Sequence, residues 1–458
     1  MMKMYPLALH IFRRDLRLYD NTALIESLKS SETVIPCFIF DKRQIEKNDY
    51  KSDNCIQFMA HSLRELDTEL RKKYSKLYFF YGIAEDVVAQ LLVKLNIKAV
   101  FTNRDYTPFS RERDLKIEKM CHELNVDFYS YTDALLHEPE EIVKSNLQPY
   151  KIFTHFFKKS IQTQVQLPKR NVYNNYYQKS IVLEDRMTLK KLLKINNQNI
   201  ILKGGRNEAL SQLKKLKYLH DYQAIRNFPA VPGTTQLSAH NKFGTISIRE
   251  FYAEIIRSFS QEHELIKELY WRDFFTHIAF HYPHVFCRSF HEKYDVIRWS
   301  ENHKHFDIWC EGQTGFPIVD AGMRELNTTG YMHNRVRMVV ASFLTKDLHI
   351  NWRWGEKYFA QKLVDYDPAV NNGNWQWSAS TGCDAQPYFR IFNPWIQQDK
   401  FDADCIYIKK WIPELAAMTP KIIHKLSTMK TRLIDYPEPI INHSTESQKA
   451  KNLFKYVK

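Results

Sequence analysis

The segment at 329–338, TGYMHNRVRM, carries a mixture of side chains that is unusual for a helix. Four of its residues fall at the helical spacings i, i+3, i+4 and i+7 and are predicted to share one face: Tyr331, Asn334, Arg335 and Met338. A neighbouring apolar stripe is predicted to face the core: Met332, Val336, Val339 and Phe343. The mixed face suits a planar, partly polar ligand. Surface polar residues with a methionine as gap filler explain the pattern equally well.

A similar combination occurs in the segment ELYWRDFF, where Glu268, Trp271 and Arg272 share one helical face. A carboxyl group beside an indole lies in a partly apolar environment, which favours its protonated form and lets it donate a hydrogen bond. The alternative is a plain Glu–Arg surface pair, the commoner origin of this spacing.

The segment 364–394 is poor in helix-forming residues and dense in Asn, Gly, Asp and aromatic residues. Its first half supplies carboxyl and amide groups, namely Asp365, Asp367, Asn371 and Asn372. Trp375 and Trp377 follow, and in a helix their side chains would point in roughly opposite directions. One indole is therefore predicted to face a ligand and the other the interior, and two core tryptophans are the alternative.

The loop at 228–240 enters a predicted helix after a Pro-Gly pair with three hydroxyl side chains, Thr234, Thr235 and Ser238. Hydroxyls and free backbone N–H groups at a helix start bind phosphate, but an ordinary helix cap gives the same pattern. The sequence contains no GxGxxG, Walker A or HExxH motif, so the common nucleotide and metal signatures are absent and no metal site is predicted.

The order of predicted elements divides the chain into two kinds of structure. Short β-rich runs at 7–12, 34–40, 76–82, 98–103 and 127–131 alternate with helical stretches, which predicts a doubly wound parallel sheet in an α/β domain at 1–135. The Lys-, Asn- and Tyr-rich stretch within 136–205 lacks steady periodicity and is interpreted as an interdomain linker. Helical spacing dominates 206–458, which predicts an all-α C-terminal domain.

Composition restricts the function classes. The 458 residues carry a formal net charge of +14, which favours a polyanionic partner such as nucleic acid, although a lysine-rich solvated surface remains an alternative. Seven scattered cysteines without a CxxC pair are typical of reduced thiols in a cytoplasmic protein. No signal peptide and no apolar run long enough to span a membrane is found, so no membrane association is expected.

Four segments together resemble the DNA photolyase and cryptochrome family, and within it the class I cyclobutane pyrimidine dimer photolyases. They are HIFRRDLRLYDNTAL at 10–24, NRDYTPFSRERD at 103–114, the segment from WCEGQTGF to VVASFL at 309–344, and NNGNWQWSASTGCDAQPYFRIFNP at 371–394. The resemblance implies an α/β antenna domain, an all-α FAD-binding domain, and light-driven electron transfer from reduced FAD to a flipped-out pyrimidine dimer. It also implies UV-damaged DNA as the partner and a monomeric enzyme.

The resemblance also implies roles for individual residues. The FAD contacts would be Tyr222, Thr234, Thr235, Gln236, Leu237, Ser238, Arg272, Arg337, Asp365, Asp367 and Asn371. The dimer would be lined by Glu268, Asn334, Met338, Trp271 and Trp377, and the DNA phosphates would be bound by Arg226, Arg335 and Arg390. A tryptophan chain of Trp375, Trp352 and Trp299 would reduce the photoexcited flavin from the surface.

Departures from the family pattern leave some points open. Tyr331 and Leu265 replace tryptophans near the flavin, and Phe109 and Ser110 replace an Asn-Glu pair of folate-antenna relatives. A second, antenna chromophore is expected, either methenyltetrahydrofolate or a deazaflavin. The rival interpretations are a (6-4) photolyase, which uses a histidine pair missing here, and a cryptochrome photoreceptor, including the DASH type. Retention of the dimer-lining residues disfavours the cryptochromes.

Overall fold

The computed structural model describes residues 4–46, 48–429, 435–455 and 457. A five-stranded sheet occupies the N-terminal part. Its strands are β1 Tyr5–Phe12, β2 Ser31–Asp41, β3 Tyr78–Gly82, β4 Ala99–Asn103 and β5 Asp127–Tyr131. The strand order is β3-β2-β1-β4-β5 and every neighbouring pair is parallel, with Ala8 of β1 opposite both Val34 and Ala99. The runs of Val, Ile and Phe in the central strands are buried, as a sheet covered on both faces requires.

Helices cover both faces of this sheet. They are α1 Thr22–Ser30, α2 Lys42–Ile45, α3 Asp53–Arg71, α4 Ala84–Leu95 and α5 Pro108–Glu123. The apolar residues of α1 and α3 pack on one face, whereas those of α4 and α5 pack on the other. The chain starts with β1 in the middle of the sheet, adds β2 and β3 on one side of it, and then adds β4 and β5 on the other side. The order of the strands therefore reverses between β1 and β4. A doubly wound sheet of this kind leaves a crevice at the carboxyl ends of those strands, and the predicted α/β fold is confirmed.

The segment after the sheet contacts both parts of the molecule. It contains α6 Phe153–Ser160 and α7 Arg186–Leu192. Phe153 and Phe156 of α6 pack in the helical region, whereas Tyr176, Leu189 and Leu192 pack against the sheet domain. The stretch predicted as an irregular linker therefore contains two helices and packs against both the sheet domain and the helical region. The predicted division of the chain into 1–135, 136–205 and 206–458 stays a prediction.

The C-terminal half of the described chain is helical, as predicted. Its helices are α8 Arg206–Lys214, α9 Tyr222–Ile225, α10 Ser238–Phe243, α11 Ile248–Ser258, α12 Glu264–His281, α13 His303–Glu311, α14 Pro317–Thr329, α15 Asn334–Ser342, α16 Trp352–Lys362, α17 Pro368–Ala379, α18 Pro394–Phe401, α19 Ile406–Trp411, α20 Pro420–His424 and α21 His443–Lys455. Helices α12, α15, α16 and α17 pack together and enclose the cavity described below.

The start of α15 differs from the sequence prediction. Gly330 ends α14 in a left-handed conformation (φ 69°), and the imidazole of His333 accepts a hydrogen bond from the Arg335 backbone N–H at 3.2 Å, capping a helix that begins at Asn334. Tyr331 therefore precedes the helix, and its placement on the helical stripe was wrong. The remaining members of that stripe lie on α15.

Buried ion pairs join the sheet domain to the helical region. Asp133, after β5, accepts hydrogen bonds from Arg17 (Nη2 to Oδ2, 2.6 Å) and from Arg249 of α11 (Nη2 to Oδ1, 2.8 Å), and Arg249 also contacts Asp20 at 2.9 Å. Burial opposes ionisation of Asp133, but the two guanidinium groups outweigh burial and lower its pKa to about 2. Because removal of either partner would leave a buried charge uncompensated, the network fixes the orientation of the two parts.

Candidate functional site

A cavity with two chambers lies among α9, α10, α12, α15, α16 and α17. The inner chamber measures about 270 Å³ and the outer chamber about 440 Å³. The residues that line both are Tyr222, Thr235, Ser238, Glu268, Arg272, Asn334, Arg337, Met338, Asp365, Val370 and Asn374. Since so many walls are shared, the chambers form one continuous site.

The structure brings most of the predicted site residues to this cavity. The inner chamber additionally contains Asp367, Asn371 and Trp375, and the outer chamber contains Arg226, Thr234, Gln236, Leu237, Trp271, Arg335 and Trp377. Three predicted residues, Arg390, Trp352 and Trp299, lie away from both chambers. Arg390 is exposed, Trp352 is buried at the start of α16, and Trp299 is half-buried against the aromatic ring of Phe454.

A buried ion pair borders both chambers. Arg337 Nη2 lies 2.9 Å from Asp365 Oδ2, and Arg337 Nε donates to the Met332 carbonyl at 2.7 Å. Burial opposes the charge on Arg337, but the carboxylate outweighs it and the pKa of Arg337 is raised. A second cation, Arg272, donates to the Ala134 carbonyl at 2.7 Å. Two guanidinium groups with fixed orientations therefore favour negative charge on a ligand in the cavity.

The sheet domain supplies one partner to the inner chamber. Asp367 caps α17, accepting from the Ala369 backbone N–H at 3.2 Å, and it forms a short ion pair with Arg14, which follows β1. Burial opposes ionisation of Asp367, but Arg14 outweighs it, so the pKa of this carboxyl is lowered. The position of an inner-chamber carboxylate is thus set by the contact between the two domains.

Asn371 in the inner chamber has a partner that the sequence did not reveal. Its side-chain amide donates to both the backbone carbonyl and the carboxyl of Glu356 on α16, at 3.1 and 3.2 Å. Burial raises the pKa of Glu356 to about 7. Glu356 is therefore a buried carboxyl one hydrogen bond away from the chamber lining. Its only sequence signal is a glutamate at a core position of an amphipathic helix.

Glu268 pairs with a helix other than its own. Its carboxyl forms a short hydrogen-bonded ion pair with Arg226, the residue that follows α9, whereas Arg272, one turn along α12, has other partners. Burial raises the pKa of Glu268, and Arg226 opposes that shift. Glu268 therefore has the partly apolar environment that was expected. The alternative ion pair with Arg272 does not form, because Glu268 pairs with Arg226 instead.

Two indoles line the outer chamber. Trp271 stacks on Phe153 with ring centroids 3.6 Å apart, which fixes its plane, and Trp377 lies half-buried at the same wall. Trp375 lines the inner chamber and is 2% exposed. Trp377 therefore borders a ligand-sized space, whereas Trp375 packs in the hydrophobic core and also borders the inner chamber. Which of the two indoles contacts a ligand stays a prediction.

The mouth of the outer chamber is basic. Arg335 donates to the Asn227 side-chain oxygen at 2.7 Å and lies over the ring of Phe401, 4.4 Å from its centroid. Burial and the nearby Arg226 lower the pKa of Arg335. Asn227 and Phe401 hold the guanidinium in place, and neither was predicted, since they are distant from Arg335 in the chain.

Aromatic rings continue from the inner chamber into the protein. Trp375 contacts Phe359 at 4.9 Å and Trp309 at 6.3 Å between ring centroids. Trp352 belongs to the same hydrophobic cluster, and Trp299 packs at its edge. Trp309 was not predicted as a site residue, although it lies in a segment that carries the family resemblance.

A third cavity, of about 550 Å³, lies at the carboxyl ends of β1, β2 and β4, where the doubly wound sheet leaves its crevice. Two guanidinium groups lie over the ring of Phe109, that of Arg43 at 4.8 Å and that of Arg113 at 5.9 Å from its centroid. Lys242 and Tyr366 line both this cavity and the inner chamber. Two separate ligand-sized spaces therefore share a wall at the domain contact.

Two features are absent from the part of the chain that the structure describes. Within it, no group of three or more His, Cys, Asp or Glu side chains is arranged to hold a metal ion. Among the same residues, every helix is too short or too polar to cross a membrane.

The family models identify both halves of the chain. Residues 8–171 match the DNA photolyase model, and residues 265–456 match the model described as the FAD binding domain of DNA photolyase. The chain belongs to the DNA photolyase family, which confirms the predicted family and its FAD-binding domain.

Individual relatives are similar over nearly their whole length. The deoxyribodipyrimidine photo-lyase of Alkalihalophilus pseudofirmus is 37% identical, covering 97% of each chain. The structure of an archaeal photolyase from Sulfolobus tokodaii with two FAD molecules is 44% identical with a TM-score of 0.88, covering 98% of this chain and 100% of that one. A bacterial class III photolyase from Agrobacterium tumefaciens is 33% identical with a TM-score of 0.92, covering 100% and 98%.

Proposed function

We propose that the protein is a deoxyribodipyrimidine photo-lyase, which repairs cyclobutane pyrimidine dimers in DNA by light-driven electron transfer from reduced FAD. The observation that carries this proposal is the continuous two-chamber cavity, which brings the residues expected at a flavin and the residues expected at a dimer to one site. Relatives named for this activity, similar over nearly the whole chain, support it. Bound FAD, once reduced and photoexcited, would supply the electron that splits the dimer.

Residues from both chambers would bind and polarise the cofactor. We assign phosphate and ribityl contacts to the hydroxyl-rich loop and its neighbours, namely Tyr222, Thr234, Thr235, Gln236, Leu237, Ser238 and Arg272. Asp365, Asp367, Asn371 and Arg337 would contact the ring system. The fixed Arg337 charge beside Asp365 would stabilise a reduced, negatively charged ring, because an opposite charge within a few ångströms favours the ionised form.

The outer residues would hold the dimer outside the DNA stack. Trp271 and Trp377 offer planes that replace lost base stacking, worth about 1–3 kcal/mol per base. Glu268, Asn334 and Met338 would contact the pyrimidine edges, and a protonated Glu268 would donate a hydrogen bond to the charge that develops on the dimer. Both cyclobutane bonds would then break and the electron would return, so that the reaction would leave no net redox change.

The basic mouth of the outer chamber would bind the DNA backbone. Arg226 and Arg335 lie at this mouth, and exposed Arg390 would extend the contact beyond it. Backbone contacts of this type position the duplex without reading sequence, which fits a lesion whose flanking sequence varies. The net charge of +14 supports a polyanionic partner.

Trp375, Trp352 and Trp299 are proposed to deliver electrons from the protein surface when the cofactor must be reduced. Their common hydrophobic cluster supports this role, since Trp375 lines the inner chamber while Trp299 is only half-buried.

The cavity at the carboxyl edge of the sheet is proposed to hold the second chromophore. The cavity is large enough for an aromatic ligand, and Phe109 lines it with an aromatic ring. The arginines around that ring suit a ligand with negative charge. Besides the expected methenyltetrahydrofolate or deazaflavin, a second flavin enters as a candidate, because the Sulfolobus tokodaii photolyase holds two FAD molecules. Extraction of the chromophores and their absorption spectra distinguish the three.

We further propose class I membership, a monomeric state and a cytoplasmic location. Glu268, Met338 and Trp377 together at the outer chamber support the class assignment and argue against a signalling cryptochrome, and the unpaired cysteines fit a reducing compartment.

The test is repair of defined lesions. Reduced protein is mixed with oligonucleotides that carry either one cyclobutane thymine dimer or one (6-4) photoproduct, illuminated with blue light, and the products are separated by chromatography with dark samples as controls. Recovery of thymines from the cyclobutane dimer alone is expected. Recovery from the (6-4) product alone would assign the rival enzyme, and flavin photochemistry without repair of either lesion would favour a photoreceptor.

A further inference from the structure

The ion pair between Arg226 and Glu268 is placed where DNA must enter. Both side chains line the outer chamber, and both are partly exposed there, at 28% and 37% of their side-chain surface. Arg226 also approaches Glu264, with Nη2 and Oε1 3.4 Å apart. In the DNA-free protein the guanidinium of Arg226 is therefore held by carboxylates of α12.

The proposed function places conflicting demands on this pair. Arg226 is expected on a DNA phosphate and Glu268 on the flipped-out dimer. A carboxylate that lost its guanidinium partner and was then covered by bases would be an unpaired buried charge, which is strongly destabilising. A protonated carboxyl avoids that cost. Its O–H group can also donate a hydrogen bond to a pyrimidine carbonyl oxygen, which can only accept one.

We propose that binding of dimer-containing DNA moves Arg226 from Glu268 to a DNA phosphate, and that Glu268 takes up one proton from solvent and donates it in a hydrogen bond to a carbonyl of the dimer. This inference rests on the proposed function. In this step the Glu268 carboxylate gains one O–H bond, and the proton comes from hydronium or the buffer acid, which loses one. No carbon–carbon bond changes, and one ion pair is exchanged for another.

The charges around Glu268 support the direction of this change. Two groups come from α9 and the residue after it, Tyr222 and Arg226. Three come from its own helix, namely Glu264, Lys267 and Arg272. The remaining three lie on α15 and in the loop before α17, namely Arg335, Arg337 and Asp365. Arg337 is paired with Asp365, and Arg272 and Arg335 donate to a carbonyl and an amide oxygen. Arg226 is the cation that contacts the Glu268 carboxyl.

Both consequences of DNA binding raise the pKa of Glu268. Burial already raises it in the free protein, with Arg226 as the opposing influence. Filling the chamber with bases removes more water, and departure of Arg226 removes the opposing charge, so the two effects add. His333, near the same mouth, has its pKa lowered to about 4 by burial and by Arg337 and Arg335 and stays neutral at the pH of the experiment.

Proton uptake is measured by isothermal titration calorimetry of the FAD-loaded protein with a thymine-dimer oligonucleotide, in the dark, in buffers of different ionisation enthalpy. We expect uptake approaching about one proton per complex, and an affinity that weakens up to about tenfold per pH unit as pH rises between the free and bound pKa values. Undamaged DNA of the same sequence, which does not fill the chamber, should bind without this uptake.

Two variants separate Glu268 from its neighbours. Glu268→Gln should bind the dimer without proton uptake and with little pH dependence, whereas the matched control Glu264→Gln, on the same helix and near the same arginine, should retain both. In infrared difference spectra, a protonated-carboxyl band should appear on dimer binding to the natural sequence and to Glu264→Gln but not to Glu268→Gln.

Tight dimer binding without proton uptake would overturn the inference, as would uptake that persists in Glu268→Gln. These outcomes leave the proposed function intact if the dimer is still bound and repaired. Failure to prefer dimer-containing DNA, or to repair it under blue light, would instead refute the proposed function itself.

Discussion

Trp377→Ala is expected to weaken binding of dimer-containing DNA selectively. Trp377 lies half-buried at the outer chamber, so its exposed face is available for a base, whereas Trp271 is already stacked on Phe153 at 3.6 Å. Loss of one aromatic platform costs about 1–3 kcal/mol, which corresponds to about a 5- to 150-fold increase in Kd. Affinity for undamaged DNA should change little, because that binding depends on backbone charge.

The assay is competition by fluorescence anisotropy in the dark, with damaged and undamaged oligonucleotides of one sequence at fixed salt. Trp377→Phe serves as the matched control and should retain most of the preference, since it keeps a ring. Trp271→Ala should lower thermal stability as well, because its indole packs in the hydrophobic cluster around α12. Equal losses for both oligonucleotides, or no loss for either, would refute the stacking role of Trp377.

Four further perturbations test other parts of the account. Glu268→Ala should lower repair yield by about tenfold or more, and by a larger factor than it lowers dimer affinity, because its hydrogen bond strengthens as charge develops; equal factors would contradict that role. Arg337→Gln should make bound FAD harder to reduce in a spectroelectrochemical titration, since a fixed positive charge beside Asp365 is lost; an unchanged or higher potential would count against it. Trp375→Phe should slow photoreduction of oxidised FAD severalfold while chemically reduced enzyme still repairs DNA, and undiminished photoreduction in flash spectroscopy would exclude this indole as the first donor. Asp133→Asn should destabilise the protein by about 3 kcal/mol at pH 7 in urea unfolding; because the pKa of Asp133 is depressed to about 2, the difference should persist above pH 4 and vanish as pH falls from about 4 to 2, and a difference that grew in acid would reverse the assigned sign.

Much of the cavity could be predicted because its residues share single helices. Glu268 and Trp271 are three apart on α12, and Asn334 and Met338 are four apart on α15, so helical geometry places each pair on one face. The parallel sheet was predictable for a similar reason, since buried β-rich runs alternate with amphipathic helices. In these cases the spacing of residues in the sequence directly determines which side chains share a face.

The remaining features depend on tertiary contacts that periodicity does not report. Arg226 meets Glu268 across two helices, and Arg14 reaches Asp367 from the other domain. The environment of Glu356 follows from burial rather than from residue type. Tyr331 was misplaced because a glycine in left-handed conformation and a histidine cap end one helix and start the next, and a helical wheel assumes that no such break occurs.

The shared wall formed by Lys242 and Tyr366 is a second feature of this kind. Lys242 lies in α10 and Tyr366 lies just before α17, yet both line the inner chamber and the cavity at the sheet edge. Only the docking of the two domains brings these residues together. The spacing of residues along the chain therefore gives no sign that the two cavities are adjacent.

The central claim is that an electron from the cofactor in the inner chamber splits a dimer held in the outer chamber and then returns. Its most direct test is to illuminate chemically reduced protein, without oxygen, with an excess of thymine-dimer oligonucleotide while recording restored thymine and the flavin spectrum together. The account predicts many thymine pairs restored per protein with the reduced flavin spectrum unchanged at the end. No restored thymine, or one flavin oxidised for each dimer split, would contradict it.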